Sequence, residues 1–373
     1  MVAGLRRIVA LSLAVAGLTG CTTDAPATTA PPVTVPSAPA PTPASPTPLA
    51  SAVSPTGETS VLASGLTSPW SIVRLASGST LISERDPGTV KELTAAGDIR
   101  EVGRVPGVVH DGEGGLLGLA VFPGDEANLY AYLTTASDNR ILRMPLLGEP
   151  GSYELGEPKV ILHSLARAGN HNGGRIAFGP DGMLYATVGD AGSPDRAQNL
   201  DSLNGKILRM TPDGDIPADN PFDSLVFSYG HRNPQGIAWD DQGQLYAAEF
   251  GQDTWDEFNR IEAGKNYGWP VVEGMANDPA FVDPIAQWPT DDASPSGLAS
   301  VGSTFFLASL KGQRLWAVDG AGESTPYLVG EFGRIRDVVA GPSGRLWLLT
   351  NNTDGRGSPR ADDDRLIEVQ LAG

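Results

Sequence analysis

Apolar and polar residues alternate along most of this chain in short runs, and a glycine-bearing turn separates each run from its successor. Alternation with a period of two turns one face of a strand toward a core and the other away from it. The runs come in pairs: an apolar strand, a turn closed by Gly, then a strand that reads Leu-Tyr or Leu-Trp and continues in small residues. The pair recurs as WSIVRLASGSTLISE (Trp70 to Glu84), LGLAVFPGDEANLYAYL (Leu117 to Leu133), RIAFGPDGMLYATVGD (Arg175 to Asp190), GIAWDDQGQLYAAEFG (Gly236 to Gly251) and VVAGPSGRLWLLT (Val338 to Thr350). A weaker copy, GSTFFLASLKGQRLWAVD (Gly302 to Asp319), fits between the last two. Hairpins repeating at roughly 35 to 65 residues predict an all-β, six-bladed β-propeller, in which each blade buries its faces only against its neighbours. A β-sandwich or a β-helix leaves repeated hairpins of this size unexplained.

The stretch from Gly230 to Trp269 surrounds the fourth hairpin. It opens with Arg232 and Asn233 held between turn formers and passes through a turn at Asp241 to Gly243. From Gly251 to Asn266 it reads as a loop carrying Asp253, Asp256, Glu257 and Glu262, closed by Asn266, Tyr267 and Gly268. Carboxylates this close repel unless a hard cation or solvent separates them, and oxygen donors in a Gly-containing loop suit calcium. A solvated acidic loop is the plainer alternative.

Ahead of the repeats the pattern changes twice. Arg6 and Arg7 precede an apolar run from Ile8 to Leu18, which ends in Leu18-Thr19-Gly20-Cys21 with the only cysteine of the chain. A charged start, an apolar run too short to span a bilayer and small residues at the cut describe a signal peptide over residues 1–20. Its ending resembles the lipobox of bacterial lipoproteins, which implies an acylated Cys21 (a palmitate-type anchor) and a protein exported and held on the outer side of the bacterial cell membrane. With no second cysteine there is no disulfide to form. Residues 21–56 are almost wholly Ala, Pro, Thr, Ser and Val, so they deny both helix and ladder hydrogen bonds and read as a disordered linker. In polyproline form it reaches up to about 100 Å at roughly 3.1 Å per residue. The propeller is expected over residues 57–373.

Composition changes the picture in two ways. Forty-six glycines and 31 prolines fit a turn-rich β-protein. The chain carries 44 acidic against 26 basic residues, net −18, and only Arg6, Arg7 and Asp24 of these precede residue 57. A folded part so acidic repels nucleic acid and anionic lipid, so any cluster of Arg and Lys within it is worth locating.

Loops at one end of a propeller surround its channel, and function concentrates there. Four stretches stand out: HDGEGGL (His110 to Leu116), GNHNGGR (Gly169 to Arg175), GHRNPQG (Gly230 to Gly236) and FGRIRD (Phe332 to Asp337). GNHNGGR places His171 at the doorway to a strand, with glycines that let a substrate approach the backbone. Imidazole suits a general base near neutral pH, although a lone His is more often structural. Arg232, Lys311, Arg334 and Arg336 are candidate anion ligands, each expected beside an innermost strand in a different blade. Their plainer reading is surface solubility or salt bridging.

GHRNPQG, a strand hairpin, an acidic loop with DE, and GKNYGWP together resemble the soluble quinoprotein glucose dehydrogenases and the related aldose sugar dehydrogenases. The resemblance spans about Gly65 to Val369, and such enzymes use pyrroloquinoline quinone (PQQ) and calcium on a six-bladed propeller. It implies that His171 is the base, with Asn170 beside it at the sugar, and that Arg232, Asn233, Lys311, Arg334 and Arg336 hold the cofactor. It also implies that the backbone carbonyls of Gly251 and Gln252 hold the catalytic calcium, Arg232 helping to polarise the accepting carbonyl, while Asp256, Glu257 and Tyr267 match positions of further calcium.

The expected activity is oxidation of an aldose to its lactone, with the electrons passing to an external acceptor. One departure is Glu113, where the family carries a Gln beside the bound sugar; a carboxylate there either accepts sugar hydroxyls or repels the anionic cofactor. Asp278 to Ser300 also matches poorly. Two other readings remain open: a non-catalytic propeller lipoprotein that binds a carbohydrate or protein partner, and a calcium-dependent lactonase.

Overall fold

The computed structural model describes residues 51–373. The expected signal peptide, Cys21 and the linker as far as residue 50 lie outside the described residues. Within them no helix is long and apolar enough to cross a membrane.

The chain folds as six antiparallel sheets around one axis, the six-bladed propeller that the hairpin repeat predicts. Each blade runs outward from an innermost strand, and these are Pro69–Arg74, Leu116–Phe122, Ile176–Phe178, Pro234–Trp239, Pro295–Val301 and Ile335–Ala340 for blades one to six. Blade six closes the ring: its outermost strand is the first of the described chain, Ser54–Ala63, which pairs with the last, Leu366–Ala372. That strand starts three residues inside the stretch read as linker, because Val53 N–H and Ser54 already find partners in Thr304 Oγ1 and Ala372. Apolar faces meet between neighbouring blades, as where Leu117, Tyr130 and Tyr132 of blade two pack on Ile176, Leu184 and Leu208 of blade three.

A register shift recurs near the start of the innermost strand. Pro69 and Ser71 pair with Glu84 and Ser83, so Trp70 is an extra residue. Gln235 and Arg336 are extra in the same way in blades four and six, and blades two and five also gain one residue at this point. A bulge leaves its extra residue unpaired and re-aims the side chain. Here the re-aimed residues meet on the axis. Arg336 Nη1 donates to Gln235 Oε1 at 3.0 Å and to Ser296 Oγ at 3.3 Å, and the Arg175 guanidinium lies 4.2 Å from the Trp70 ring centroid.

Three expectations need correction. The stretch from Gly251 to Asn266 is not one loop, since Trp255–Ile261 is the third strand of blade four. Its acids concealed the strand because they are buried and hydrogen-bonded: Asp256 takes the amides of Gly251 and Ser294, and Glu257 takes Asn259 Nδ2 and the Gly274 amide. The weak copy at Gly302 to Asp319 is the second and third strands of blade five, not the first and second. Its true innermost strand, PSGLASV, has too few large apolar residues to register as one. Finally, the four candidate cations do not come from four blades. Arg334 and Arg336 share blade six, and Lys311 follows the second strand of blade five.

Candidate active site

A cavity of about 310 Å³ opens at the end of the axis where the innermost strands begin, and all six blades contribute to it. Its walls include Trp70, Glu113, His171, Arg232, Asn233, Gln252, Asp256, Lys311, Arg334, Arg336 and Arg356. The residues singled out in four separate stretches of sequence therefore meet in one place.

His171 is buried, with a backbone φ of 55° in the left-handed region, where a non-Gly residue needs its surroundings to hold it. The packing is close: a Cβ at Gly189 would fall 2.1 Å from the His171 carbonyl oxygen. Its Nδ1 lies 2.8 Å from Asp190 Oδ1. Asp190 also accepts the Gly192 amide at 2.8 Å and Trp269 Nε1 at 2.9 Å. Burial pushes the Asp190 carboxyl up, but the contacts from His171, then Trp269 and Gly192, bring it below the ordinary carboxylate value. An ionised carboxylate only accepts, so it fixes the proton on Nδ1 and leaves Nε2 with a free lone pair.

The cations sit in an unusual environment. Arg232, Arg334 and Arg336 are each at least nine-tenths buried, and burial lowers all three pKa values. For Arg336 the fall reaches about 9, with repulsion from Arg85 adding to burial. Asp354 answers Arg334 at 3.3 Å and Arg336 at 3.9 Å, yet Nε of both arginines has no partner among the described residues. Buried guanidinium groups left this short of anions make a site for a polyanion, and a planar tricarboxylate such as PQQ fits that donor set. Lys311 differs, being exposed and paired with Asp291. Glu249 anchors the Arg232-Asn233 turn by accepting both backbone amides and His231 Nδ1. Arg232 then reaches Gln252 Oε1 with Nε and Nη2, at 2.9 and 2.7 Å.

The residues expected to hold calcium divide into two groups. Gly251, Gln252 and Asp256 line the main cavity. Glu273 Oε1 accepts four consecutive amides, Gln252 to Trp255, and the carbonyls of Gly251 and Gln252 accept no hydrogen bond among the described residues. Uncommitted carbonyls suit a hard cation. Glu257 and Tyr267 lie behind them, with Glu249 and Glu273, around a void of about 10 Å³. Burial pushes Asp256 up to about 6; burial and then Glu249 push Glu257 up to about 8. The Tyr267 hydroxyl is committed to Arg260 O and the Glu262 amide. Among the described residues no group of three or more Asp, Glu, His or Cys side chains is placed to hold a metal ion.

Asn170 is exposed and does not line the cavity, so the structure does not bring it to the site as expected. Sequence reading missed Asp190, Trp269, Asp354 and Arg356. Asp190 ends the third repeat, where an Asp after a buried strand at the channel end was the available signal; nothing in the sequence marks Arg356.

The Glucose / Sorbosone dehydrogenase family model matches residues 66–359. A PQQ-bound aldose sugar dehydrogenase of Streptomyces coelicolor superposes with a TM-score of 0.81 at 48% identity, over 86% of this chain and 100% of its own. Aldose sugar dehydrogenase YliI of Escherichia coli is 29% identical over 344 residues, 82% of this chain and 92% of its own length. Quinoprotein glucose dehydrogenase B of Acinetobacter calcoaceticus is 32% identical over 268 residues, 62% of this chain and 56% of its own length. Hairpin repeat, axial cavity and these likenesses agree, and the chain belongs to the Glucose / Sorbosone dehydrogenase family.

Proposed function

We propose that this protein is a PQQ- and calcium-dependent aldose dehydrogenase that oxidises the anomeric carbon of a sugar to the lactone. The observation that carries the reading is one cavity holding both the anion-poor cations Arg232, Arg334 and Arg336 and an imidazole whose Nδ1 is committed to Asp190. PQQ, when bound, supplies the quinone that accepts the hydride from the anomeric carbon. Arg232, Asn233, Arg334 and Arg336 would hold its polar edge, with Lys311 adding a solvent-screened charge at the rim. Gly251 and Gln252 would offer carbonyls to calcium. His171 Nε2 takes the proton of the anomeric hydroxyl, and Asp190 steadies the imidazolium that forms. Arg356 pairs with Glu113 and Lys311 with Asp291, so neither of these rim cations is left unpaired to favour an acidic sugar, and the substrate class proposed is a neutral aldose.

Titrating the purified protein with PQQ and Ca²⁺ while recording absorbance, then adding aldoses with an artificial electron acceptor, tests the reading. Saturable binding and turnover that His171→Gln abolishes support it. A wild-type protein that gives no spectral change is instead a binding lipoprotein on the same fold. We further propose that acylated Cys21 holds the enzyme on the outer face of the cell membrane, where the linker gives the propeller reach.

A further inference from the structure

Glu113 stands half-buried at the cavity rim, and its carboxylate serves two partners. Oε2 accepts the backbone N–H of His171 at 3.0 Å, and Oε1 receives Arg356 Nη1 at 3.2 Å. The Glu113 amide donates to Gly169 O at 2.9 Å, and a Cβ at Gly112 would fall 2.1 Å from that same oxygen. The segment before blade two is thus fastened directly to the segment that carries the base.

Arg356 reaches Glu113 from 243 residues away, on the connection between the second and third strands of blade six. The root of that connection is fixed by Asp364, which accepts the amides of Asn352 and Thr353 and the hydroxyls of Thr350 and Thr353. Farther along, the Arg356 amide donates to Asp354 Oδ1 at 2.9 Å, while Oδ2 of the same fully buried carboxylate faces Arg334 and Arg336. A continuous polar chain therefore runs from the two cofactor-side arginines through Asp354, Arg356 and Glu113 to the backbone of His171.

We propose that Glu113 and Arg356 form a clamp that positions the base against the cofactor cations, and that Arg356 is what makes a carboxylate tolerable at this rim. Both are positioning residues. The left-handed backbone of His171 needs its surroundings to hold it, and Glu113 does so at the amide while the carbonyl accepts the Ala191 amide at 3.1 Å. A carboxylate so near a tricarboxylate cofactor is repelled unless a cation answers it, and Arg356 is that cation. Each oxygen of Glu113 already accepts one hydrogen bond, so a sugar hydroxyl approaching it would have to share an oxygen with the His171 amide or with Arg356. This inference rests on the PQQ reading for its second half only.

The test has two arms. In the cofactor-free protein, exchange of the His171 amide is measured by NMR: Glu113→Ala should speed it by about tenfold or more, as expected for losing a hydrogen bond to a charged acceptor. Glu113→Gln keeps an acceptor oxygen and should stay within about threefold. In the PQQ-loaded protein, Arg356→Gln should weaken PQQ binding by about three- to tenfold, the range of a partly exposed ion pair whose survivor faces an anion. The double variant Glu113→Gln with Arg356→Gln should return affinity to within about twofold of wild type, because the unanswered charge is gone. Unchanged His171 exchange in Glu113→Ala, or additive losses in the double variant, overturns the clamp. If the wild type binds no PQQ, the functional reading falls and the exchange arm still decides the clamp. Circular dichroism confirms that each variant is folded.

Discussion

Replacing Asp190 by Asn tests the base assignment without altering the cavity's shape. The carboxylate accepts from His171 Nδ1 and the Gly192 amide on one oxygen and from Trp269 Nε1 on the other. An amide has one oxygen and one NH₂, so it cannot satisfy all three donors. With its oxygen toward His171, its NH₂ opposes the Trp269 indole N–H. Turned over, the NH₂ opposes the Gly192 amide and donates to His171 Nδ1, which moves the imidazole proton to Nε2 and removes the lone pair that takes the substrate proton. Either orientation strands a buried donor, at about 1–3 kcal/mol. Either also removes the negative charge that steadies the imidazolium; a hydrogen bond to a charged partner exceeds a neutral one by about 1–2 kcal/mol, or roughly tenfold in rate. With part of the population in the wrong tautomer, kcat should fall by about 100-fold, inside the 10²–10⁴ range of general-base catalysis.

Stopped-flow reduction of the bound quinone by aldose measures this directly. PQQ affinity should stay within about threefold, because the Asp190 carboxylate makes no hydrogen bond to a cofactor-side guanidinium and its backbone amide, which donates to the Arg232 carbonyl at 2.8 Å, is kept in the variant. In a His171→Gln background the same substitution should cost little, since residues acting as a unit are not additive. A kcat within about threefold of wild type, or an equal loss in both backgrounds, would refute the assignment.

Arg336→Met should weaken PQQ binding by about 100-fold or more, since it strips a cation from a buried anion site, whereas Lys311→Met, at an exposed pair, should cost less than about fivefold; titration of both variants compares them. Chelating Ca²⁺ with EGTA should lower PQQ affinity reversibly, and an unchanged titration without calcium removes the carbonyls of Gly251 and Gln252 from the site. Because the folded Asp190 carboxyl lies below its ordinary value, its stabilisation is complete above the unfolded pKa of about 3.9 and is lost as pH falls through the folded one. The gap in urea midpoint between wild type and Asp190→Asn should therefore hold from pH 5 to 8 and narrow below about pH 4. Cys21→Ala should release the protein from membranes into soluble fractions; persistent membrane association rules out lipid as the anchor.

The fold was legible because hairpin repeats leave a strong period-two signal, and it failed where that signal is weak. PSGLASV in blade five is mostly small, and TWDEFNRI in blade four hides a strand behind acids that are internally hydrogen-bonded. The site was legible where a motif is compact: His171, Arg232 and Asn233 lie in short glycine-flanked stretches, and all three line the cavity. It was illegible where one residue matters through a partner far away in sequence. Glu113 looked like an unanswered charge, and its answer, Arg356, sits 243 residues on in a polar connection with no pattern of its own. Asp190 was hidden differently, as the last letter of a repeat whose other letters are core.

The recurring bulge explains why this fold places a charged site on its axis at all. A regular innermost strand would alternate its side chains between the two neighbouring blades, so the channel would be lined by backbone. An extra residue in the strand breaks the alternation and turns one side chain inward in a blade that carries it. In blades one, four and six that residue is Trp70, Gln235 and Arg336; all three line the cofactor-side cavity. The residue just past the bulge points the other way. Ser71 and Asp337 line a second axial cavity of about 340 Å³, where Arg175 joins them, with Nη1 3.0 Å from Asp337 and 3.3 Å from Ser71 Oγ. Trp70 and Gln235 bind Arg175 from above through ring and carbonyl, so one layer of side chains divides the channel. Arg334 and Arg336 share the single carboxylate of Asp354, so an anion entering from the open end is what would complete their pairing. A substitution such as Trp70→Ala should join the two cavities and admit solvent beneath Arg336. PQQ affinity should fall even though no cation is lost, and ordered water spanning the axis in a crystal structure of that variant would identify the cause; affinity equal to wild type would show that the dividing layer has no part in binding.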